Sequence, residues 1–516
     1  MRTFAAIDIG SNSCRLKIAR VVQHELHTVF EDREVTRLGA SVFESGLISP
    51  EAMANTIRAL KRFHKAVQMH GVDRVRAVAT SAMRDSRNSR AFRAWVKDET
   101  GWDVEVISGL EEGRLIHRGV VNWEPGTQGR CLLLDLGGGS CEVIVSDRKR
   151  IEGMASLPLG AVRLTQEFLL SDPPRAEEIG RMKQFIAREL RRAAKKVDAT
   201  GVKVVIATSG TAAALSAASG ALAKSAKSKG KAGERRAPNT ATARDARRLA
   251  DKLTKMNNAA RSAIEGIGTK RSEIIIAGAH VYAEVLEHYK LGGFRYSESG
   301  MRDGILSQML AEEDARTSAH QVFERERWEG VLELARRYGT DPRLTEPVRQ
   351  HAVQLFHDLS AVHGLAEEYL LWLESAAVLR DVGKFLNYQG YHRHAQYIVA
   401  NSELYGFTPQ QRVVTSAIAR YLGKSRPTPE GRTMREVPPS EHEWVKRAVV
   451  LLRLAVGLNQ DRASDVLKVK TYVYPKRVIL ELHPGRTGAE LELWTLRKEA
   501  DYFREVFRRD LLVTLP

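Results

Sequence analysis

The stretch Ala6-Ile7-Asp8-Ile9-Gly10-Ser11-Asn12-Ser13 closes an apolar run that begins at Phe4, and Leu132-Leu133-Leu134-Asp135-Leu136-Gly137-Gly138-Gly139-Ser140 repeats its ending. Each reads as a buried strand that finishes in Asp-x-Gly-x-x-Ser. After the first copy, Cys14 to Val21 alternates as a strand and Glu25 to Glu31 reads as its hairpin partner. After the second, Cys141 to Ser146 and Lys149 to Ser156 follow in the same order. A recurrence of this kind points to a duplicated α/β core.

Working outward, Val75 to Thr80 leads into Thr80-Ser81-Ala82, and Val204 to Thr208 leads into Thr208-Ser209-Gly210-Thr211, at similar offsets from the two loops. Each half is expected to end in a strand feeding a helix: Val104 to Ile107 before Leu110 to Val120, and Glu273 to Ala277 before His280 to Glu287. The unequal spacing is assigned to residues 223–238, a run rich in Lys, Arg, Ala and Gly that reads as a basic surface loop. Beyond about residue 310 the pattern turns helical, over Trp328 to Tyr338, Pro347 to Val362, Leu370 to Val382, His392 to Ser402 and Pro409 to Leu422. Ala448 to Leu458 reads as a further helix, and Val466 to Tyr474 and Arg477 to His483 as paired strands. The expected division is 1–125 and 126–310 for the two halves of the core, 315–445 for a helical domain, and 446–516 for a small α+β domain.

Composition narrows the function classes. Hydrophobic residues at 43% and charged residues at 28% exclude disordered, collagen-like and membrane classes. Eighty Lys and Arg against 63 Asp and Glu leave a net charge of +17, which favours a polyanionic partner. The three cysteines, Cys14, Cys131 and Cys141, form no CxxC pair and support neither a disulfide framework nor a zinc site. An acid at Asp8 precedes any signal-peptide core, and no apolar stretch is long enough to span a bilayer, so a cytoplasmic location without membrane association is expected.

The loops suggest the chemistry. Their glycines permit unusual backbone angles, and their N–H and hydroxyl groups, from Ser11, Asn12, Ser13, Gly137, Gly138, Gly139 and Ser140, can converge on phosphate. Ser209, Gly210 and Thr211 add donors at a helix start, and Arg84 is a candidate charged donor. A carboxylate heading each loop would repel bare phosphate, so Asp8 and Asp135 are expected to act through Mg²⁺, which takes one or two carboxylates plus phosphate oxygens. Glu142 is placed to complete that environment, or else is an exposed strand residue. In Ser108-Gly109-Leu110-Glu111-Glu112, Ser108 and Glu111 have capping-box spacing, which leaves Glu112 as the candidate general base.

These motifs resemble the exopolyphosphatase and guanosine pentaphosphate phosphohydrolase (Ppx/GppA) family. The likeness rests on Ala6 to Ser13, Ala79-Thr80-Ser81-Ala82-Met83-Arg84, Ser108 to Leu115, Asp135 to Glu142, Ala207 to Thr211, Ala277-Gly278-Ala279 and Ser299 to Gly304. It implies a duplicated core of the actin-like, sugar kinase and heat-shock protein superfold, an HD-like helical domain, hydrolysis of a terminal phosphoanhydride, Mg²⁺ near Asp135 and Glu142, and Glu112 as base. The HD-like segment, Leu370 to Lys424, departs from a metal-binding pattern: Arg380-Asp381 stands where His-Asp is expected, and Leu344 replaces an earlier His. His357-Asp358 lacks a complete ligand set and reads as structural, while His392 and His394 either line a groove or pack. The expected function is exopolyphosphatase acting on inorganic polyphosphate. Guanosine pentaphosphate (pppGpp) hydrolysis is the alternative, a non-catalytic polyanion sensor a remoter one, and an ATP-dependent kinase or chaperone of the same superfold a rival. Nucleic acid is not expected as a partner, and a homodimer is left open.

Overall fold

The computed structural model describes residues 2–228, 239–313, 318–423, 425–460, 466–484 and 488–516. They form two compact units, Met1–Gln321 and Val322–Pro516.

The first unit holds two sheets. One contains β1 (Thr3–Ile9), β2 (Cys14–Val22), β3 (Glu25–Glu34), β4 (Arg74–Ala79) and β5 (Val104–Val106), in the order β3-β2-β1-β4-β5. The other contains β6 (Cys131–Leu136), β7 (Cys141–Asp147), β8 (Arg150–Leu157), β9 (Val204–Thr208), β10 (Thr240–Thr242) and β11 (Gly293–Tyr296). Its order, β8-β7-β6-β9-β11-β10, repeats the first with one strand added at the edge. In both, the leading strand pairs antiparallel with the second and parallel with the fourth. The core is thus the duplicated actin-like α/β fold.

One expected strand is corrected. Residues 273–277 run from a turn into the helix Ile275–His288, and the fifth strand of the second half is β11, after that helix. The short β-branched run misleads because eleven of the helix's fourteen residues are buried, and a helix covered all round lacks an amphipathic period. The basic run at 223–238, expected as a loop, begins inside the helix Ser209–Ser228, and 229–238 lie outside the described residues.

Strand alternation aims the loops. Ala5, Ile7 and Ile9 point into one hydrophobic cluster, whereas Phe4 and Ala6 point into another that they share with Cys131 and Leu133 of β6. Asp8 continues the face of Phe4 and Ala6, and Asp135 that of Cys131 and Leu133. Both carboxylates therefore face the layer between the sheets. That layer also holds the helices Gly109–Val121 and Met301–Glu313, which cross at glycines: a Cβ on Gly119 would lie 1.9 Å from the Gly300 carbonyl oxygen, and one on Gly304 1.8 Å from that of Leu115.

In the second unit, helices and the sheet β12 (Lys468–Val473), β13 (Arg477–His483) and β14 (Asp510–Thr514) pack into one hydrophobic cluster. The expected boundary at 445/446 falls inside the helix His442–Gly457. The helix expected from Pro347 starts earlier, as Pro342–Asp358, because Asp341 accepts the N–H of Arg343 at 2.9 Å and Pro342 suits the first turn. No described helix is long and apolar enough to cross a membrane.

Candidate active site

The two loops follow the C-terminal ends of β1 and β6 and line one cleft of about 920 Å³ in the first unit. Their backbones are held alike. Gly10 N–H donates to the Ser13 carbonyl at 3.2 Å, and Gly137 N–H to that of Ser140 at 3.0 Å. The remaining carbonyls turn away from the cleft: Ser11 accepts from Gly39, and Asn12 from Thr36 and Arg37. In the second loop, Gly137 accepts from Ala161, and Gly138 from Val162 and Arg163, at the start of the helix Ala161–Phe168. A trans peptide points its N–H opposite its C=O. The N–H groups of Asn12, Ser13, Gly138 and Gly139 are thereby turned the other way, and they donate to no protein acceptor among the described residues. Such converging free N–H groups form an anion-binding nest. The glycines allow the loops to meet, since a Cβ on Gly138 would lie 3.0 Å from Ser11 Cβ and one on Gly139 2.4 Å from Ser81 Oγ.

Four carboxyls collect beside the loops. Asp8 lies opposite Arg15, and Asp135 opposite Glu142, in the strand registers. Burial pushes Asp8 up to about 6, with Arg15 and Arg302 opposing the rise. Asp135 is raised by burial, against hydroxyl bonds from Thr208 (2.5 Å) and Ser209. Ser209 holds φ at +72° in the strand-to-helix turn, a backbone region that costs a non-glycine residue about 1–3 kcal/mol and that clusters at functional sites. Glu112, in the first turn of Gly109–Val121, is pushed up to about 7 by burial, and Arg84 Nη1, 2.9 Å from its Oε2, holds the rise back. Ser108 Oγ caps the helix by accepting from Glu111 N–H at 3.1 Å. Glu142 is fully buried and raised well above the ordinary range, chiefly by that burial. Ser156 donates to its Oε1 at 2.8 Å, while its Oε2 has no partner.

The opposite wall is cationic. Asp8, Arg15 and Arg33 stand in one row across β1, β2 and β3, and like charges directly opposite in a sheet repel. Arg33 is lowered to about 10 and Arg271 to about 9, in both cases by burial first and neighbouring guanidiniums second. Neither Arg15, Arg33 nor Arg271 reaches an acid within ion-pair distance among the described residues, although all three line the cleft. Arg271 packs against Gly210, where a Cβ would fall 1.5 Å from its Nη2. Arg302, by contrast, stands 3.7 Å from Glu31, and Lys17 pairs with Asp303 at 2.6 Å.

The Ppx/GppA phosphatase family pattern matches residues 17–313, and that of Ppx/GppA phosphatase domain III matches residues 326–503. The chain belongs to the Ppx/GppA phosphatase family. Among solved structures, an exopolyphosphatase from Cytophaga hutchinsonii is 27% identical with a TM-score of 0.55, over 61% of this chain and all of that one. An exopolyphosphatase-like protein is 30% identical with a TM-score of 0.53, over 59% of this chain and 96% of that one.

Within this Ppx/GppA phosphatase, Asp8, Ser11, Asn12, Ser13, Glu112, Asp135, Gly137, Gly138, Gly139, Ser140, Ser209, Gly210 and Thr211 all line the one cleft. Arg84 and Glu142 do not line it: Arg84 bonds Glu112 and the Ile107 carbonyl, and Glu142 lies behind Asp135. Ser11 Oγ accepts the Ala82 N–H at 3.1 Å, so its oxygen also caps a turn of the first half. Arg15, Arg33, Arg271 and Ser156 escape a motif reading. For Arg15 and Arg33 the signal is a charged residue at every second place, Arg15 and Lys17 against Glu31 and Arg33, which needs the strand register to be read.

No group of three metal-ligating side chains converges among the described residues. The donors nevertheless suit Mg²⁺, which needs one or two carboxylates and completes its shell with water and phosphate, and the unpartnered Oε2 of Glu142 is a buried acceptor without a donor. In the second unit, Asp381 lies 2.9 Å from Lys384 Nζ and 3.6 Å from Arg380 Nη2, and Arg380 also donates to the Leu344 carbonyl at 2.9 Å. Two side-chain cations hold the carboxylate that a metal would claim. Asp358 receives Gln354 at 3.2 Å within its own helix.

Proposed function

We propose that this Ppx/GppA phosphatase is an exopolyphosphatase that removes the terminal phosphoryl group of inorganic polyphosphate. The observation that carries the reading is the set of unneutralised guanidiniums, Arg15, Arg33 and Arg271, lining the same cleft as the two nests. Like charges gathered without ion-pair partners repel one another, and a run of phosphates would supply the missing anions. The terminal phosphoryl group would sit against the free N–H groups of the loops. One or two of the carboxylates Asp8, Asp135 and Glu142 would hold Mg²⁺, which would neutralise charge on the phosphate oxygens. Glu112, buried and raised towards neutrality, orients a water and takes its proton as the water attacks phosphorus and the bridging oxygen leaves with the shortened chain. Arg84 keeps Glu112 in place and favours its ionised form.

A second reading, hydrolysis of pppGpp, draws on a different wall. Beside Arg271 the cleft is floored by Ala213, Ala217, Gly266 and Ile274, small or apolar residues suited to a nucleoside. Phosphate release from long-chain polyphosphate and from pppGpp, with Ala217→Trp as the probe, separates the two. Faster turnover of polyphosphate, unchanged in the variant, supports the first reading. Faster turnover of pppGpp, lost in the variant, replaces it with the second, and no release from either sinks both.

A further inference from the structure

Arg163 has no place in the phosphate chemistry described so far, yet its side chain bonds to both halves of the core beside the site. It sits in the first turn of the helix Ala161–Phe168, beside the N–H groups that hold the carbonyls of Gly137 and Gly138. Its Nε donates to the Gly139 carbonyl at 2.9 Å. Its Nη2 reaches across to the other half, donating to Ser81 Oγ at 3.2 Å and to Asp85. The guanidinium also stacks on Phe43, 4.0 Å from the ring centre. The side chain is largely buried, and Glu167 lies 3.7 Å away.

The Gly139 bond matters most. Main-chain donors fix the first two peptides of the second loop, but the third, Gly139–Ser140, takes its donor from Arg163 and from no other described residue. Its carbonyl is drawn towards the guanidinium, so its N–H is turned the opposite way. Glycine places no steric bar on the reverse orientation, which would present a carbonyl to an anion.

We propose that Arg163 is a positioning residue that sets the Gly139–Ser140 peptide with its N–H towards the transferred phosphoryl group, and couples that setting to Ser81, Asp85 and Phe43 on the opposite half. The proposal rests on the phosphohydrolase reading. Lysine cannot replace it, because a single ammonium cannot serve Gly139, Ser81 and Asp85 with the planar fork of a guanidinium.

The test compares wild type, Arg163→Ala and Arg163→Lys for phosphate release at saturating Mg²⁺, with melting temperature and calorimetric binding of orthophosphate measured on each. Loss of one preorganised donor costs roughly 10²–10³ in turnover, and a misaligned one is expected to cost about 10–10² in kcat, with KM within about threefold. Both variants are expected to show this loss with wild-type melting temperatures, weaker orthophosphate binding, and recovery of Arg163→Ala but not Arg163→Lys by added ethylguanidinium. Wild-type kcat in either variant overturns the proposal, as does a loss that follows melting temperature and resists ethylguanidinium. If the wild type releases no phosphate, the functional reading fails separately, and orthophosphate binding still decides: weaker in Arg163→Ala upholds the positioning role, unchanged overturns it.

Discussion

Glu112 combines three conditions for a general base: it lines the cleft, it is screened from bulk water, and its proton affinity is raised to near neutrality. Only the ionised form can accept a proton. kcat/KM is therefore expected to climb about tenfold per pH unit at low pH and to level off above about 7. A pH–rate profile without a limb near neutrality would exclude Glu112 as the titrating base. Glu112→Gln should lower kcat by roughly 10²–10⁴. Because the Arg84 guanidinium opposes the rise, Arg84→Gln should move the limb to higher pH. Glu112 was open to inspection in the chain because Ser108 and Glu111 account for the helix start and leave its neighbour unspent. Arg15, Arg33 and Arg271 were not, since a lone arginine in a strand or turn has no local signature. Their meaning lies in being brought together without ion-pair partners, which only the register of β1, β2 and β3 and the fold around Gly210 accomplish.

Among the elements, the crossing of Gly109–Val121 with Met301–Glu313 sets main chain against main chain at Gly119, Gly300 and Gly304. Gly119→Ala should destabilise the protein by at least about 1–3 kcal/mol, because no side chain is available to move aside. A urea midpoint equal to wild type would show that the helices can separate at little cost. Strands with alternating or wholly apolar faces were legible from Phe4 and Leu132 onward, as was the order in which they recur. The helix Ile275–His288 was not, because burial on every side erases the period that distinguishes helix from strand over so short a run. Pro347 misled for another reason: proline marks a helix start only where no better start precedes it, and Asp341-Pro342 does.

For the whole molecule, the excess of positive charge gives a long polyanion more to hold than its terminal unit. Raising salt should weaken turnover of long-chain polyphosphate more than that of pppGpp, by analogy with the release of counterions from nucleic acid. Equal salt dependence would remove the case for an extended basic track. EDTA should abolish phosphate release by the wild type, and Asp381→Asn should leave the Mg²⁺ dependence unchanged, since Lys384 and Arg380 already occupy that carboxylate. A shifted Mg²⁺ requirement in the variant would give the second unit a metal role after all. The duplication itself was legible because both halves keep the same sequence landmarks, while the pairing of helices into one cluster with β12, β13 and β14 depends on contacts far apart in the chain.

The outward-turned carbonyls of the two loops also bear on how such a site can change over time. Its grip on an anion is supplied by N–H groups that every amino acid except proline possesses, so the hydroxyls of Ser13 and Ser140 could be exchanged for other small groups while the nest persisted. A bulky residue at Gly138 or Gly139 would instead drive the halves apart. Drift in this fold would thus erase the polar letters of the motif first and the empty ones last, and a distant descendant would be recognised by where it can least afford a side chain.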